Sequence, residues 1–239
     1  DKIFRRGIFK KIPKKIKVDK NIIKNILSDN DNEDTKIHNK PEIGIINGLY
    51  ATTNGEGGII PIQVFKNYSS KSNKFEIKLT GNQGDVMKES VQCSLTTALD
   101  YIRQNIKKYK FIKNLDNYLI ENFKYGFHVH APSTSTPKDG PSAGIAFTTA
   151  FISRILNKKI KNTYGMTGEI ELTGRVTKIG GLNFKLIGAK KAGVKNIYIP
   201  LENKKDLEDI KNKYPKLINK SFNVKTCNNI SEIINDVLI

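Results

Sequence analysis

The sequence predicts a mixed α/β domain. Residues 43–52 and 58–66 are largely apolar and flank a glycine-rich turn, and apolar and polar residues alternate at residues 75–79; all three segments are typical of strands. At residues 84–107 the apolar residues recur every three or four positions, which is typical of an amphipathic helix. Because strand and helix patterns continue in mixed order to the end of the chain, we expect an α/β sandwich-like architecture.

The first 42 residues differ from the rest of the chain. Residues 1–20 are basic and interrupted by proline, and residues 18–27 predict one short helix. Residues 28–40 are acidic and polar without apolar periodicity, as in a linker. We therefore predict a tail and linker over residues 1–42 and a folded domain over residues 43–239.

The first half of the domain predicts a hairpin and two helices. The hairpin turn is Asn54-Gly55-Glu56-Gly57, between the first two strands. The long helix carries one apolar stripe that should face the core, and a shorter helix is expected at residues 111–123. The stripe consists of Met87, Val91, Leu95, Ala98, Ile102 and Ile106.

The second half repeats the mixture of strands and helices. Strands are predicted at residues 126–131, 164–172, 194–200 and 222–227. Helices are predicted after Ser142, around Lys185 up to a C-cap near Gly193, at residues 203–211 and from Ser231 onward.

Ser142 lies where a predicted strand, a loop and a helix follow one another. Asp139 or Gly140 is the expected cap of that helix, with Pro141 in its first turn. This would place the Ser142 hydroxyl beside unpaired backbone N–H groups, which can hold a developing oxyanion. Ser142 is therefore a candidate nucleophile, and the alternative is a serine that only satisfies backbone donors at a helix start.

The histidines do not follow the chain order that an α/β-hydrolase requires for the base that activates its serine. Residues 140–144 fit the G-x-S-x-G pattern of α/β-hydrolases, in which the histidine follows the serine. All three histidines precede Ser142: His38, His128 and His130. The order His130, Asp139, Ser142 would require one short loop to build a whole triad.

A neutral lysine is the other base that can serve a serine. Lys185 follows the glycine pair at residues 180–181, where a helix should begin, and its neighbours are apolar. Both features disfavour the ammonium form and should lower its pKa. The alternative is a lysine whose stem is half buried and whose amine reaches water.

Three blocks of sequence together resemble the protease domain of the ATP-dependent Lon family. They are Pro-Lys-Asp-Gly-Pro-Ser-Ala-Gly at 137–144, Met-Thr-Gly-Glu-Ile at 166–170, and Ile-Gly-Gly-Leu at 179–182 with Lys185. The resemblance extends upstream to residues 81–90 and 128–130, downstream through 192–207, and covers roughly residues 43–239. It implies a fold like the second domain of ribosomal protein S5.

The resemblance also implies roles for individual residues. Ser142 and Lys185 would form a catalytic Ser–Lys dyad of a serine endopeptidase, and Thr167 would orient the lysine. Four further residues match family positions around the site, where supporting roles and simple local hydrogen bonding are equally open: Asp139, His128, His130 and Glu169. The chain departs from the family pattern in two places. Pro132-Ser133-Thr134 changes the loop that would open the active site and shape the substrate cleft, and Asn183-Phe184 would make the surroundings of Lys185 more apolar.

Composition bounds the alternatives. A chain of 239 residues with 38% hydrophobic content can bury one good core. No apolar run approaches a membrane span, and we expect no membrane partner. Cys93 and Cys227 lack metal-ligand spacing and fit a reducing compartment, so neither a metal nor a disulfide scaffold is expected. The net charge of +18 is spread along the chain and allows non-specific DNA binding at low salt.

The resemblance implies a larger machine. The chain has no G-x-x-x-x-G-K-[ST] motif, so we expect no cofactor here and predict that ATP and Mg²⁺ bind an upstream ATPase module on the same polypeptide. Family membership would further imply degradation of unfolded, damaged or regulatory proteins by a hexamer, in the mitochondrial matrix of a eukaryote or the cytoplasm of a bacterium.

Two other hypotheses stay open at this stage. One is a basic nucleic-acid-binding module on the same fold with a vestigial site, since the charge is strongly positive. The other is a Lon-like protease that works without ATP.

Overall fold

The computed structural model describes residues 35–70, 73–132 and 138–239. Lys36–Ile239 form one compact unit. The helix predicted at residues 18–27, the first part of the predicted linker and the loop at Ser133 and Thr134 lie outside the described residues. The domain boundary placed at residue 43 stays a prediction.

The described chain is built around one large sheet and two small two-stranded sheets. The strands are β1 Glu42–Ile43, β2 Ile45–Ala51, β3 Gly57–Lys66, β4 Glu76–Thr80, β5 Gly126–His130, β6 Lys159–Ile160, β7 Tyr164–Met166, β8 Glu169–Ile170, β9 Val176–Thr177, β10 Asn196–Pro200 and β11 Asn223–Cys227. The large sheet has seven strands in the order β11-β10-β7-β2-β3-β5-β4, β1 pairs with β6, and β8 pairs with β9.

The large sheet is mixed. The hairpin β2–β3 and the pair β3–β5 are antiparallel, whereas β7 runs parallel to both β2 and β10. Parallel neighbours need crossover connections, and helices supply them here. The predicted mixed α/β fold is confirmed.

Six α-helices lie within the described residues. They are α1 Asp85–Gln104, α2 Leu115–Asn122, α3 Gly144–Leu156, α4 Leu182–Lys191, α5 Lys204–Lys213 and α6 Ser231–Val237. None of the helices in this part of the chain is both long and apolar enough to cross a membrane.

Side-chain alternation along β2 and β3 creates two hydrophobic cores. Ile46 and Ile62 belong to the core that contains the apolar residues of α1 and α3. Leu49 and Ile59 belong to the other core, together with residues of α4 and α5. Since successive strand residues point to opposite faces, the central hairpin separates two helical layers.

Two predicted elements end differently from the expectation. The helix predicted to reach residue 107 stops at Gln104, and a 3₁₀ turn follows at Ile106–Lys108. The strand predicted over residues 164–172 is broken into β7 and β8. The Thr167 N–H group makes the last ladder bond to Tyr198 O of β10, and the next N–H group, that of Gly168, bonds to Ser142 O instead. The break leaves Thr167 directly beyond the carboxyl end of β7.

Candidate active site

Ser142 lies in a turn just before α3, and the predicted helix cap is wrong. The helix begins at Gly144 with Ala143 as its N-cap, so Pro141 precedes the helix and does not lie in its first turn. Gly140 has a φ of +113° and turns the chain ahead of the serine. The serine side chain is half buried.

Asp139 caps a different helix from the one predicted. One carboxylate oxygen accepts hydrogen bonds from Met87 N, in the first turn of α1, and from Gly140 N, both at 2.9 Å. A carboxylate at a helix N-terminus satisfies an otherwise unpaired donor and interacts favourably with the helix dipole. Asp139 therefore ties the loop before Ser142 to α1.

The first turn of α3 does not present free donors to Ser142, in contrast to the expectation. Gly144 N bonds to Pro141 O, and Ile145 N bonds to Gly168 O. The next two N–H groups, from Ala146 and Phe147, both bond to Ala143 O. The turn at Ser142 and the neighbouring segment therefore consume the donors that a helix usually leaves open.

Lys185 lies one turn into α4, whose start is the one predicted. The helix follows Gly181, which has a φ of +67°. The lysine side chain is only 4% exposed. Burial lowers its pKa from 10.5 to about 8, because a desolvated ammonium is less stable than the neutral amine. A substantial fraction of the amine is therefore neutral near pH 8.

Three side chains meet beside the carboxyl end of β7. The Nζ atom of Lys185 lies 2.9 Å from Ser142 Oγ and 3.1 Å from Thr167 Oγ1. Ser142 comes from the layer of α3, whereas Lys185 comes from α4 in the other layer. The hydroxyl and the amine therefore come into contact at the carboxyl end of β7, between the two layers.

The hydrogen bonds of the Thr167 hydroxyl have a defined donor and acceptor at each end. It donates to the Ser142 carbonyl oxygen at 3.0 Å, and the same carbonyl accepts from Gly168 N at 2.8 Å. Having donated its only proton, Thr167 Oγ1 can only accept from the lysine amine. A neutral amine that donates there is turned so that its lone pair can face Ser142.

The remaining predicted site residues make their hydrogen bonds elsewhere. His128 Nε2 and His130 Nδ1 lie 2.9 and 2.8 Å from the hydroxyl of Thr80. Burial, with smaller contributions from Lys78 and His130, lowers the pKa of His128. Glu169 is exposed at the start of β8. With His130 on Thr80 and Asp139 on α1, the formal order His130, Asp139, Ser142 does not form a triad.

Two hydrogen-bond partners of predicted site residues were missed by the sequence interpretation. Gly168 N anchors the carbonyl of Ser142, and Thr80 joins the two histidine rings. Thr80 pairs with His130 in the register of β4 and β5, which are 50 residues apart. A strand register of this kind has no local sequence signal, although the alternation of β4 predicts that Thr80 shares a face with Lys78.

Within residues 35–70, 73–132 and 138–239, no group of three or more His, Cys, Asp or Glu side chains could hold a metal ion. The contact of a serine hydroxyl with a buried lysine amine is the arrangement of the Ser–Lys class of hydrolases.

Comparison with known proteins identifies the family. The family profile described as the Lon protease (S16) C-terminal proteolytic domain matches residues 17–239. The chain belongs to the Lon protease family and is a proteolytic domain of it. That match also includes residues 17–42, which are part of the tail and linker that the sequence interpretation had separated from the domain.

Relatives from different organisms are named Lon protease or Lon protease homolog. A Lon protease homolog of Acanthamoeba polyphaga mimivirus is 52% identical over 84% of this chain and 19% of its own length. The Lon protease of Finegoldia magna is 36% identical over 100% of this chain and 29% of its own length. That of Buchnera aphidicola subsp. Schizaphis graminum is 37% identical over 98% of this chain and 28% of its own. The chain therefore spans less than a third of each of these relatives.

Proposed function

We propose that this domain hydrolyses peptide bonds with Ser142 as nucleophile and Lys185 as general base. The observation that carries the proposal is the 2.9 Å contact between Lys185 Nζ and Ser142 Oγ, made by an amine that is almost fully buried. Membership of a family of proteolytic domains supports peptide bonds as the substrate class.

The chemistry follows from the contact between the Lys185 amine and the Ser142 hydroxyl. The neutral Lys185 amine takes the Ser142 hydroxyl proton while Oγ bonds to the peptide carbonyl carbon. The resulting ammonium returns that proton to the leaving nitrogen, and the C–N bond breaks to give an acyl-serine. Water then attacks the ester in the same way, with Lys185 again taking and returning a proton.

Thr167 is a positioning residue in this mechanism. Its hydroxyl donates to the Ser142 carbonyl and accepts from the lysine, so it holds both partners of the dyad. We place the oxyanion against the turn at residues 142–143, because the N–H groups of the first turn of α3 already have partners.

We expect Thr167→Val to slow the reaction of Ser142 with a serine-directed peptide inhibitor about 10- to 100-fold near pH 8. The change keeps the buried shape but removes the hydrogen bond that Thr167 accepts from the lysine and the one that it donates to Ser142 O. A buried partner left unpaired costs on the order of 1–3 kcal/mol. Thr149→Val is the matched control, because that buried hydroxyl bonds to Ile145 O inside α3. Equal rates in both variants would contradict a positioning role for Thr167.

The wider assembly is also a proposal. The relatives are more than three times longer than this chain, which is consistent with further modules in the full-length protein. We propose that one of them is an upstream ATPase module that binds ATP and Mg²⁺ and feeds unfolded or damaged proteins to the dyad. We further propose that the full-length protein assembles as a hexamer. No residue of this domain is assigned to ATP.

The alternative of a basic nucleic-acid-binding module is not favoured. The matched family and the relatives are proteolytic proteins by name. The positive charge is better explained as a general abundance of lysine than as a dedicated binding surface.

The direct test is covalent labelling. A serine-directed peptide inhibitor should add one mass adduct to the unmodified chain, located on Ser142, and none to Ser142→Ala. Ser153→Ala is the control, because Ser153 is a fully buried serine in α3 that bonds to backbone groups. An adduct retained in a folded Ser142→Ala would refute Ser142 as the nucleophile.

A further inference from the structure

The glycine-rich hairpin between β2 and β3 has a second contact besides its turn. Gly57, the first residue of β3, lies against the peptide that joins Phe184 to Lys185 in α4. A Cβ atom built on Gly57 would overlap the carbonyl carbon and oxygen of Phe184 and would lie 3.0 Å from Lys185 N. The hairpin backbone therefore rests directly on the backbone of the proposed base.

Gly188 makes the same contact from the other side. It lies three residues after Lys185, and a Cβ atom built there would overlap the carbonyl group of Gly57 and the nitrogen of Gly58. Neither Gly57 nor Gly188 has a positive φ. Backbone conformation therefore does not require glycine at these positions, whereas the close approach of the two backbones does.

The glycine at position 188 is unexpected on local grounds. In a helix interior glycine is about 1 kcal/mol less favourable than alanine. The sequence alone therefore predicts that Gly188→Ala would stabilise α4, whereas the structure predicts a collision with β3. The two expectations differ in sign.

We propose that the backbone contact of Gly57 with Gly188 and the Phe184–Lys185 peptide sets the depth of Lys185, so that its amine reaches Ser142 and Thr167. The inference rests on the proposed function in one respect: the position of the amine matters for catalysis because Lys185 is the proposed base. Gly57 and Gly188 are positioning residues, since they touch the backbone of α4 and not the reacting atoms.

The backbone around Ser142 is held by contacts that do not involve α4. The Ser142 carbonyl is bonded to Gly168 N and Thr167, and the preceding Asp139 is bonded to α1. A helix pushed away from β3 would therefore withdraw the lysine while the serine stays in place. Misplacing a reacting group by about 1 Å can cost on the order of 100-fold in rate.

The test compares Gly57→Ala and Gly188→Ala with Gly180→Ala. A Cβ atom on Gly180 would meet no atom within 4 Å, and Gly180 lacks a positive φ, so this is a matched glycine-to-alanine control. All chains carry lysine labelled with ¹³C at Cε, and the Lys185 signal is assigned by its loss in Lys185→Met. An NMR pH titration then reports the pKa of Lys185, and inhibitor labelling of Ser142 reports the rate.

The expected result is a raised lysine pKa in the two colliding variants. From the value of about 8, the pKa of Lys185 should rise by about one unit or more as the amine gains water. Labelling at pH 7.5 should slow about tenfold or more, with partial recovery at higher pH. Gly180→Ala should match the unmodified chain in both readouts.

Three outcomes would overturn the inference. The first is an unchanged pKa and rate in folded Gly57→Ala and Gly188→Ala. The second is a loss of stability without a pKa shift in the folded fraction. The third is failure of both variants to fold, because the contact would then serve the fold and not the lysine. Absence of labelling in the unmodified chain would refute the proposed function instead, and the titration would still report the position of Lys185.

Discussion

Lys185→Met is expected to abolish reaction of Ser142 with a serine-directed inhibitor and, at pH 7, to stabilise the domain. The activity is lost because, among the residues that the structure describes, the remaining hydrogen-bond partners of Ser142 include no base. Methionine fills a similar volume without a charge that must be desolvated. Removal of the base in a hydrolytic site lowers the rate on the order of 10⁴- to 10⁶-fold.

The gain in stability follows from the lysine pKa. The pKa falls from 10.5 to about 8 on folding. At about 1.4 kcal/mol per pKa unit, keeping the proton on a buried lysine costs the folded state roughly 3 kcal/mol below pH 8. The lost hydrogen bonds to Ser142 and Thr167 offset about half of this, so we expect a net gain of about 1–2 kcal/mol.

The pH dependence of that gain has a definite sign. Between about pH 8 and pH 10.5 the folded parent releases the proton that the unfolded chain still binds, so the parent becomes more stable as the pH rises. The advantage of Lys185→Met over the parent should therefore shrink across this interval. Urea unfolding at pH 7 and pH 10 measures it, with exposed Lys205→Met as the control. A less stable Lys185→Met at both pH values would contradict the assignment of a buried lysine with a lowered pKa.

Phe151→Ala is expected to have the largest effect on stability alone. Phe151 lies in α3, is fully buried, and packs edge-to-face on Phe127 with ring centroids 5.2 Å apart. Replacing a buried phenylalanine by alanine leaves a cavity and costs about 3–5 kcal/mol of the free energy of unfolding. Because α3 follows Ser142 directly, labelling of the serine should weaken as the folded fraction falls.

The control for this substitution is Leu172→Ala. Leu172 is 57% exposed, so its truncation should change stability by less than about 0.5 kcal/mol. Chemical denaturation of both variants measures the difference between them. A loss below about 1 kcal/mol in Phe151→Ala would mean that α3 is not packed as described.

The sequence predicts best those elements that have a regular spacing of apolar residues or a clear local turn signal. The stripe of α1 is visible residue by residue, and it places Met87 in the core as observed. The turn at residues 54–57 likewise marks the two strands on either side of it. The glycine pair before Lys185 also marks the true start of α4. In each of these cases the signal and the structure are local.

The features that sequence misjudged depend on distant partners. Asp139 looked like the cap of the next helix in the chain, but its carboxylate reaches Met87 N, 52 residues away. The strand after residue 164 looked continuous, yet Gly168 N turns aside to bond to Ser142 O. Local pattern cannot show which of two donors a carboxylate or carbonyl will meet in the folded chain.

The residues of the candidate site were predicted partly from local sequence patterns and partly from family resemblance. Ser142 and Lys185 stand out in the sequence, and the structure brings their side chains together at 2.9 Å. Thr167 was singled out by family resemblance alone, since nothing in its local pattern marks a side chain that contacts both. The catalytic roles of all three stay predictions.

The most direct test of the dyad is the rate of Ser142 labelling as a function of pH. Between pH 6 and pH 10 the rate should rise and level off with an apparent pKa of about 8, the value expected of buried Lys185. Lys185→Met should show no such rise at any pH in this interval. A rise with the same midpoint in folded Lys185→Met, or a parent rate that does not depend on pH, would contradict Lys185 as the base.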